Sequence, residues 1–106
     1  MRVFLNALVL LMVLTGFSVA AWAEDYTLTL KDHVFTPNTL TVPSGQKVKL
    51  IIRNEDSTPA EFESYDLHRE KIVPPKGEIS VFVGPLKPGT YKFFDEFHEK
   101  TAQGTL

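Results

Sequence analysis

Cysteine is absent from this 106-residue sequence, and its absence excludes several kinds of site at once. A thiolate nucleophile, an iron–sulfur cluster and a blue-copper centre each require a cysteine sulfur, so none of them can form. Disulfides are excluded too, although small exported domains often depend on them for stability. The domain must therefore be stabilised by burial of apolar side chains, with or without a bound metal ion.

An excess of positive charge is also missing. The sequence has 11 Lys and Arg residues against 13 Asp and Glu residues, which gives a formal net charge of −2 at pH 7. This balance argues against nucleic acid or an anionic membrane surface as a partner. Most of the acidic residues fall into two groups, at residues 55–70 and 95–99, and these groups are the first places to look for ligands of a cation.

The apolar segment near the N-terminus is short. Residues 3–17 are apolar with few interruptions, whereas a membrane-spanning helix needs about 20 such residues. Arg2 precedes the segment, and Ala21-Trp22-Ala23 provides a small-x-small cleavage site after it. We therefore expect a cleaved signal peptide at residues 1–23 rather than a transmembrane anchor. One small exported domain would follow at residues 24–106, with no further insertion into the membrane.

Apolar and polar residues alternate with a period of two in several short runs. The clearest runs are residues 26–31, 40–42, 47–53, 79–83 and 91–93, and turn residues such as Pro and Gly separate them. This pattern predicts an all-β Greek-key sandwich of about six to eight short strands, with no long helix. Residues 54–73 look irregular, with room for one helical turn at residues 61–65.

Several segments resemble the cupredoxin fold: VFTP at 34–37, LTVPSGQKV at 40–48, PGTY at 88–91, and His98 with Gly104. A narrower set is similar to the cysteine-less cupredoxin-like domains of bacterial periplasmic iron uptake, of the EfeO and FtrB types: EFES at 61–64, REK at 69–71, GPL at 84–86 and FFDEFH at 93–98. The resemblance implies a periplasmic protein that binds an iron or copper ion. It would bind, hand over or help to oxidise Fe(II). The implied partners are a periplasmic iron-binding protein and an inner-membrane iron permease.

The sequence departs from blue-copper cupredoxins at three of the four ligand positions. Asp95 stands at the position of the cysteine, Ala102 or Gln103 at that of the methionine, and Ala60 or Glu61 at that of the first histidine. Only His98 matches. The resemblance therefore does not imply copper-based electron transfer.

The candidate metal ligands lie in the two acidic groups. If the loop after Asn54 and the loop after Phe94 meet at one end of the sandwich, Glu61, Asp95 and His98 should reach a common point. Two carboxylates and one imidazole suit Fe(II), Mn(II) or Zn(II). The remaining candidates are a further carboxylate from Glu63 or Glu96, and His68 as a second imidazole.

Other residues in and near these groups have simpler explanations. Glu70 is expected to form surface ion pairs with its neighbours, and His33 is expected to point to solvent or to form local hydrogen bonds. Phe94 and Phe97 bracket the acidic pair at 95–96, so one of them could shield a site from water.

Two classes of function stay open at this point. The first is metal binding within an iron-uptake system, with catalysis of Fe(II) oxidation undecided because the chain has no clear redox site. The second is a metal-free interaction module whose acidic loops dock an iron-transport partner.

Overall fold

The computed structural model describes residues 22–106, and these form eight strands and one short helical turn. The strands are β1 (Trp22–Lys31), β2 (Val34–Thr36), β3 (Lys47–Asn54), β4 (Ala60–Ser64), β5 (Arg69–Val73), β6 (Glu78–Val83), β7 (Lys92–Asp95) and β8 (Gln103–Thr105). The turn, η1 (Glu96–His98), is a 3₁₀ turn between β7 and β8. Among the described residues, no helix is long and apolar enough to span a membrane.

The eight strands form two four-stranded sheets. One sheet has the order β2-β1-β3-β6 and the other has the order β5-β4-β7-β8. Strands β1 and β3 are parallel, and the other pairs are antiparallel. The predicted all-β sandwich is thereby confirmed. The predicted signal peptide lies almost wholly outside the described residues, and β1 begins at Trp22, two residues before the predicted cleavage product.

The core lies between the two sheets and follows the period-two pattern of the sequence. Val48, Leu50 and Ile52 on β3 are fully buried, and the residues between them, Lys49 and Ile51, are half-buried. Burying each of these side chains contributes about 1.5–3 kcal/mol. From the other sheet, Phe62 packs against Phe93 with ring centroids 5.6 Å apart. Burial of apolar side chains, without disulfides, thus provides the core that joins the two sheets.

Two local predictions differ from the structure. The helical turn predicted at residues 61–65 is wrong, because residues 60–64 are strand β4. Phe62 faces the core, while Glu61 and Glu63 occupy the opposite face of the strand. The period-two pattern is hard to see in the sequence because Phe62 is the only large apolar residue of β4. The run at residues 40–42 does not form a strand either. The preceding Thr39 forms an isolated bridge with Thr105 of β8, and the N–H of Leu40 donates to the carbonyl oxygen of Thr105 at 3.0 Å.

A buried asparagine shapes the loop that follows β3. Asn54 is 1% exposed, and its side-chain amide donates to the carbonyl oxygens of Thr58 (2.8 Å) and Pro74 (3.2 Å). Its Oδ1 accepts a hydrogen bond from the backbone N–H of Asp56 at 3.0 Å. The asparagine therefore fixes the position of Asp56, which takes part in one of the clusters described next.

Candidate functional site

Four glutamates converge on the outer face of the second sheet. Glu61 and Glu63 come from β4, Glu70 from β5 and Glu96 from the start of η1, and one carboxylate oxygen of each lies within 4.8 Å of the others. The strand register produces this arrangement, because Glu63 pairs directly with Glu70 across the antiparallel ladder. Glu63 is only 7% exposed, whereas Glu70 and Glu96 are open to solvent.

The four carboxylates repel one another and compete for protons. Hydrogen bonds to Glu96 and Glu70, followed by desolvation, raise the pKa of Glu61 from 4.5 to about 8. Desolvation and then the charge of Glu70 raise the pKa of Glu63. Within residues 22–106, none of the four forms an ion pair with a basic side chain. Like charges placed directly opposite on a sheet are destabilising, so bound protons or a cation would stabilise this cluster.

Asp95 lies on the other side of the same sheet and is completely buried. Its Oδ1 accepts hydrogen bonds from the backbone N–H groups of Glu61 (2.9 Å) and Phe97 (3.0 Å), the second of which caps η1. Its Oδ2 lies 2.8 Å from Nδ1 of His98. With three partners, this carboxylate is already satisfied by the protein, and it holds the His98 ring in a fixed orientation.

The predicted meeting of Glu61, Asp95 and His98 at one point does not occur. Asp95 pairs with the buried Phe62, so its side chain points inward, while the Glu61 side chain points to the outer face. Asp95 contacts His98 directly, but it meets Glu61 only through the backbone N–H of Glu61. Instead, the structure brings Glu61, Glu63 and Glu96 together with Glu70, a residue for which the sequence suggested only surface ion pairs.

His98 has a neighbour that the sequence did not identify. The His33 ring, from the turn between β1 and β2, stacks on the His98 ring with centroids 3.6 Å apart and an interplanar angle of 13°. Nδ1 of His33 lies 3.3 Å from Oδ2 of Asp56. The His33 side chain is 39% exposed, as expected of a histidine that faces solvent or bonds locally, but its stacking on His98 was not predicted. The sequence carries no signal for this contact, because the two histidines lie far apart along the chain and only folding brings them together.

Asp56 is tightly held by the same turn. Its carboxylate accepts hydrogen bonds from the backbone N–H groups of Asp32 (2.7 Å) and His33 (3.0 Å). Desolvation alone would raise the pKa of Asp56, but these hydrogen bonds and the nearby His33 and Lys76 hold it below its usual range. Asp56 therefore stays charged beside His33.

The remaining predicted residues lie outside both clusters. His68 occupies the exposed turn between β4 and β5 with a positive φ of 56°. Phe97 is 50% exposed and does not shield a site. Phe94 is half-buried, with its ring 5.5 Å from that of Tyr65, and it pairs with Glu63 and so shares the face of the glutamates.

The positions of a blue-copper centre do not offer the donors that such a centre needs. Asp95 has no free oxygen directed at an ion, and Ala60 and Ala102 are buried residues with only a methyl group to offer. The Ala102 carbonyl is itself occupied by the N–H of Asp95 at 3.0 Å. The described residues therefore do not fit a copper centre of that type.

Comparisons with known proteins are consistent with the observed β-sandwich. The family model described as Cupredoxin-like domain matches residues 4–106. An uncharacterized protein of Rickettsia prowazekii (strain Madrid E) is 56% identical over 79 residues, which are 74% of this chain and 63% of that relative. The chain thus spans less than two thirds of the length of that relative.

Solved structures with low sequence identity share the fold. Auracyanin A, a "blue" copper protein from Chloroflexus aurantiacus, superposes with a TM-score of 0.66 at 14% identity, covering 78% of this chain and 96% of that one. The metal-binding domain of the Cu(I)-exporting P-type ATPase CopA from Streptococcus pneumoniae D39, solved with Cu(I), gives a TM-score of 0.62 at 12% identity, with coverages of 80% and 90%. A purple cupredoxin from Nitrosopumilus maritimus gives 0.58 at 19% identity, with coverages of 76% and 96%.

Proposed function

The chain belongs to the cupredoxin-like domain family, and from this premise we propose that it binds and hands over a divalent metal ion, with Fe(II) as its cargo. The ligands are the carboxylates of Glu61, Glu63, Glu70 and Glu96. This ligand set replaces the one expected from the sequence, in which Asp95 and His98 were the leading members.

The observation that carries the proposal is the convergence of four carboxylates with no basic partner within the described residues. A divalent cation would neutralise the mutual repulsion of the four carboxylates. An all-carboxylate ligand set suits Mg(II) and Mn(II) and lacks the imidazole or sulfur ligands that are typical of copper sites. The choice of Fe(II) rests on the resemblance of the EFES and FFDEFH segments to iron-uptake domains.

The exposure of the ligands supports a role in transfer. Glu63 is nearly buried and would anchor the ion, while Glu70 and Glu96 are solvent-exposed and leave one side of the ion accessible to exchange. We propose that the protein is exported to the periplasm. There it would pass the ion from this open side to a periplasmic iron-binding protein or to an inner-membrane iron permease. Help with Fe(II) oxidation is a further part of this hypothesis, and an oxygen-consumption assay with Fe(II) would test it.

Anaerobic titration with Fe(II), and with Mn(II) as an air-stable substitute, tests the proposal. Glu61→Gln and Glu70→Gln should each weaken binding at least tenfold, or about 1.4 kcal/mol, because each removes one charged ligand. Glu99→Gln is the matched control. Glu99 is an exposed acid of the same region outside the cluster, and its loss should leave the affinity unchanged.

The alternative function predicts a different outcome. If the acidic face only docks a protein partner, the parent chain should bind neither Fe(II) nor Mn(II) more tightly than Glu61→Gln does. That result would exclude the metal-carrier role and leave the interaction module.

A further inference from the structure

A second group of metal-binding side chains lies apart from the four glutamates. It consists of His33 and His98, whose rings are stacked 3.6 Å apart, and of the two aspartates behind them. None of these residues belongs to the glutamate cluster. His33 also stands at none of the ligand positions that the sequence resemblance suggested.

In both imidazoles, the Nδ1 atom faces an aspartate carboxylate. Nδ1 of His98 contacts the fully buried Asp95 at 2.8 Å, and Nδ1 of His33 is buried 3.3 Å from Asp56. Yet the two side chains remain 27% and 39% exposed. Neither Nε2 makes a hydrogen bond within the described residues, and neither is a buried atom without a partner, so both Nε2 atoms are accessible to solvent.

A carboxylate behind a histidine is the usual second partner of a metal-bound imidazole. It accepts the Nδ1 proton, fixes the tautomer with a free lone pair on Nε2, and makes that nitrogen more basic. Here the arrangement occurs twice, side by side. The two carboxylates are themselves fixed by backbone N–H groups, from Glu61 and Phe97 for Asp95 and from Asp32 and His33 for Asp56.

We propose that His33 and His98 together bind one borderline divalent cation, Zn(II) or Cu(II), through their Nε2 atoms. Asp56 and Asp95 act as positioning residues behind them. Imidazole nitrogens favour these ions, whereas the all-carboxylate cluster favours harder ones. The chain would thus carry two metal sites of different chemistry, and this second site does not depend on the function proposed for the first.

The one unsatisfied buried atom of the described side chains supports this assignment. Nδ1 of His33 is close to Asp56 but makes no well-directed hydrogen bond. A cation at Nε2 favours a proton on Nδ1 and strengthens its attraction to Asp56. Binding at about 2.0–2.1 Å from each nitrogen requires the stacked rings to splay apart.

The test uses Asn substitutions, because His33 has a positive φ of 58° and Asn tolerates that backbone conformation. His68→Asn is a closely matched control, since His68 is also a turn histidine with a φ of 56°. Calorimetric titration of the whole chain with Zn(II) should show at least a tenfold loss of affinity in His33→Asn and in His98→Asn. His68→Asn should bind like the parent.

Cu(II) electron paramagnetic resonance gives an independent count of the ligands. The parent and His68→Asn should show coupling to two imidazole nitrogens, and His33→Asn to one. Parent-like Zn(II) affinity in His33→Asn, or an unchanged nitrogen count, would overturn the proposal even if His98→Asn failed to fold.

Glu70→Gln separates the two metal sites. It should weaken Fe(II) and Mn(II) binding while leaving Zn(II) affinity unchanged. If it reduced Zn(II) affinity as much as His33→Asn does, Zn(II) would be bound by the glutamates, and the histidine site would be refuted. If Glu70→Gln weakened Fe(II) binding but not Zn(II) binding, the result would support the histidine site.

Discussion

Asp95→Ala is expected to weaken the fold, in contrast to the expectation from the sequence. The sequence suggested that Asp95 is a metal ligand in a loop, and the removal of such a ligand should leave the fold intact. In the structure it is completely buried and accepts hydrogen bonds from the backbone N–H groups of Glu61 and Phe97. Its removal leaves these two donors without a partner at the junction of β4, β7 and η1.

The magnitude follows from the number of groups left unsatisfied. A buried donor without a partner costs about 1–3 kcal/mol, so two should cost about 2–6 kcal/mol. This is a large part of the 5–15 kcal/mol by which a small domain is typically stable. A loss of 1 kcal/mol lowers the melting temperature of a domain of this size by roughly 4–8 °C. We therefore expect a decrease of at least about 10 °C in thermal unfolding followed by circular dichroism.

Two further variants control for this measurement. Asp66→Ala removes a carboxylate that accepts one backbone hydrogen bond, from Lys92 at 2.9 Å in an exposed position, and should cost no more than about 1 kcal/mol. Asp95→Asn keeps one acceptor oxygen for the backbone donors, so its melting temperature should lie between those of Asp95→Ala and Asp66→Ala. If Asp95→Ala melted within 2–3 °C of the parent, roughly 0.5 kcal/mol, the assignment of a structural role to Asp95 would be wrong.

Four other predictions concern the glutamates, copper, the core and export. The pKa of Glu61 in the folded protein lies above its ordinary value, so its contribution to stability is present below pH 4.5 and is lost as the pH rises towards about 8. The melting temperature of the metal-free protein should therefore fall over this pH range. The fall should be smaller in Glu61→Gln and smaller when Mn(II) is added. Added Cu(II) should give no intense absorption near about 600 nm, because no cysteine sulfur is present. Leu50→Ala should reduce the unfolding free energy by about 2–5 kcal/mol in urea titrations. Mass spectrometry of exported material should show Glu24 as the N-terminus, and retention of residues 1–23 would contradict this.

The sequence by itself determined the class of fold and excluded the thiolate chemistries. The alternation on β3 reflects a strand with one face in the core, and that local pattern survives whatever the strand pairs with. Composition settles the absence of a cysteine ligand without any structure. The sequence also identified most of the acidic residues that the fold brings together, namely Glu61, Glu63 and Glu96.

Only the tertiary structure decided how these residues are grouped. Which face of a sheet a side chain occupies depends on strand register, and the pairing of Glu63 with Glu70 and of Phe62 with Asp95 separated the glutamates from Asp95. The contact between His33 and His98 joins two distant turns that follow strands of different sheets. Contacts of this kind arise from the packing of one sheet on the other, which no local pattern of residues encodes.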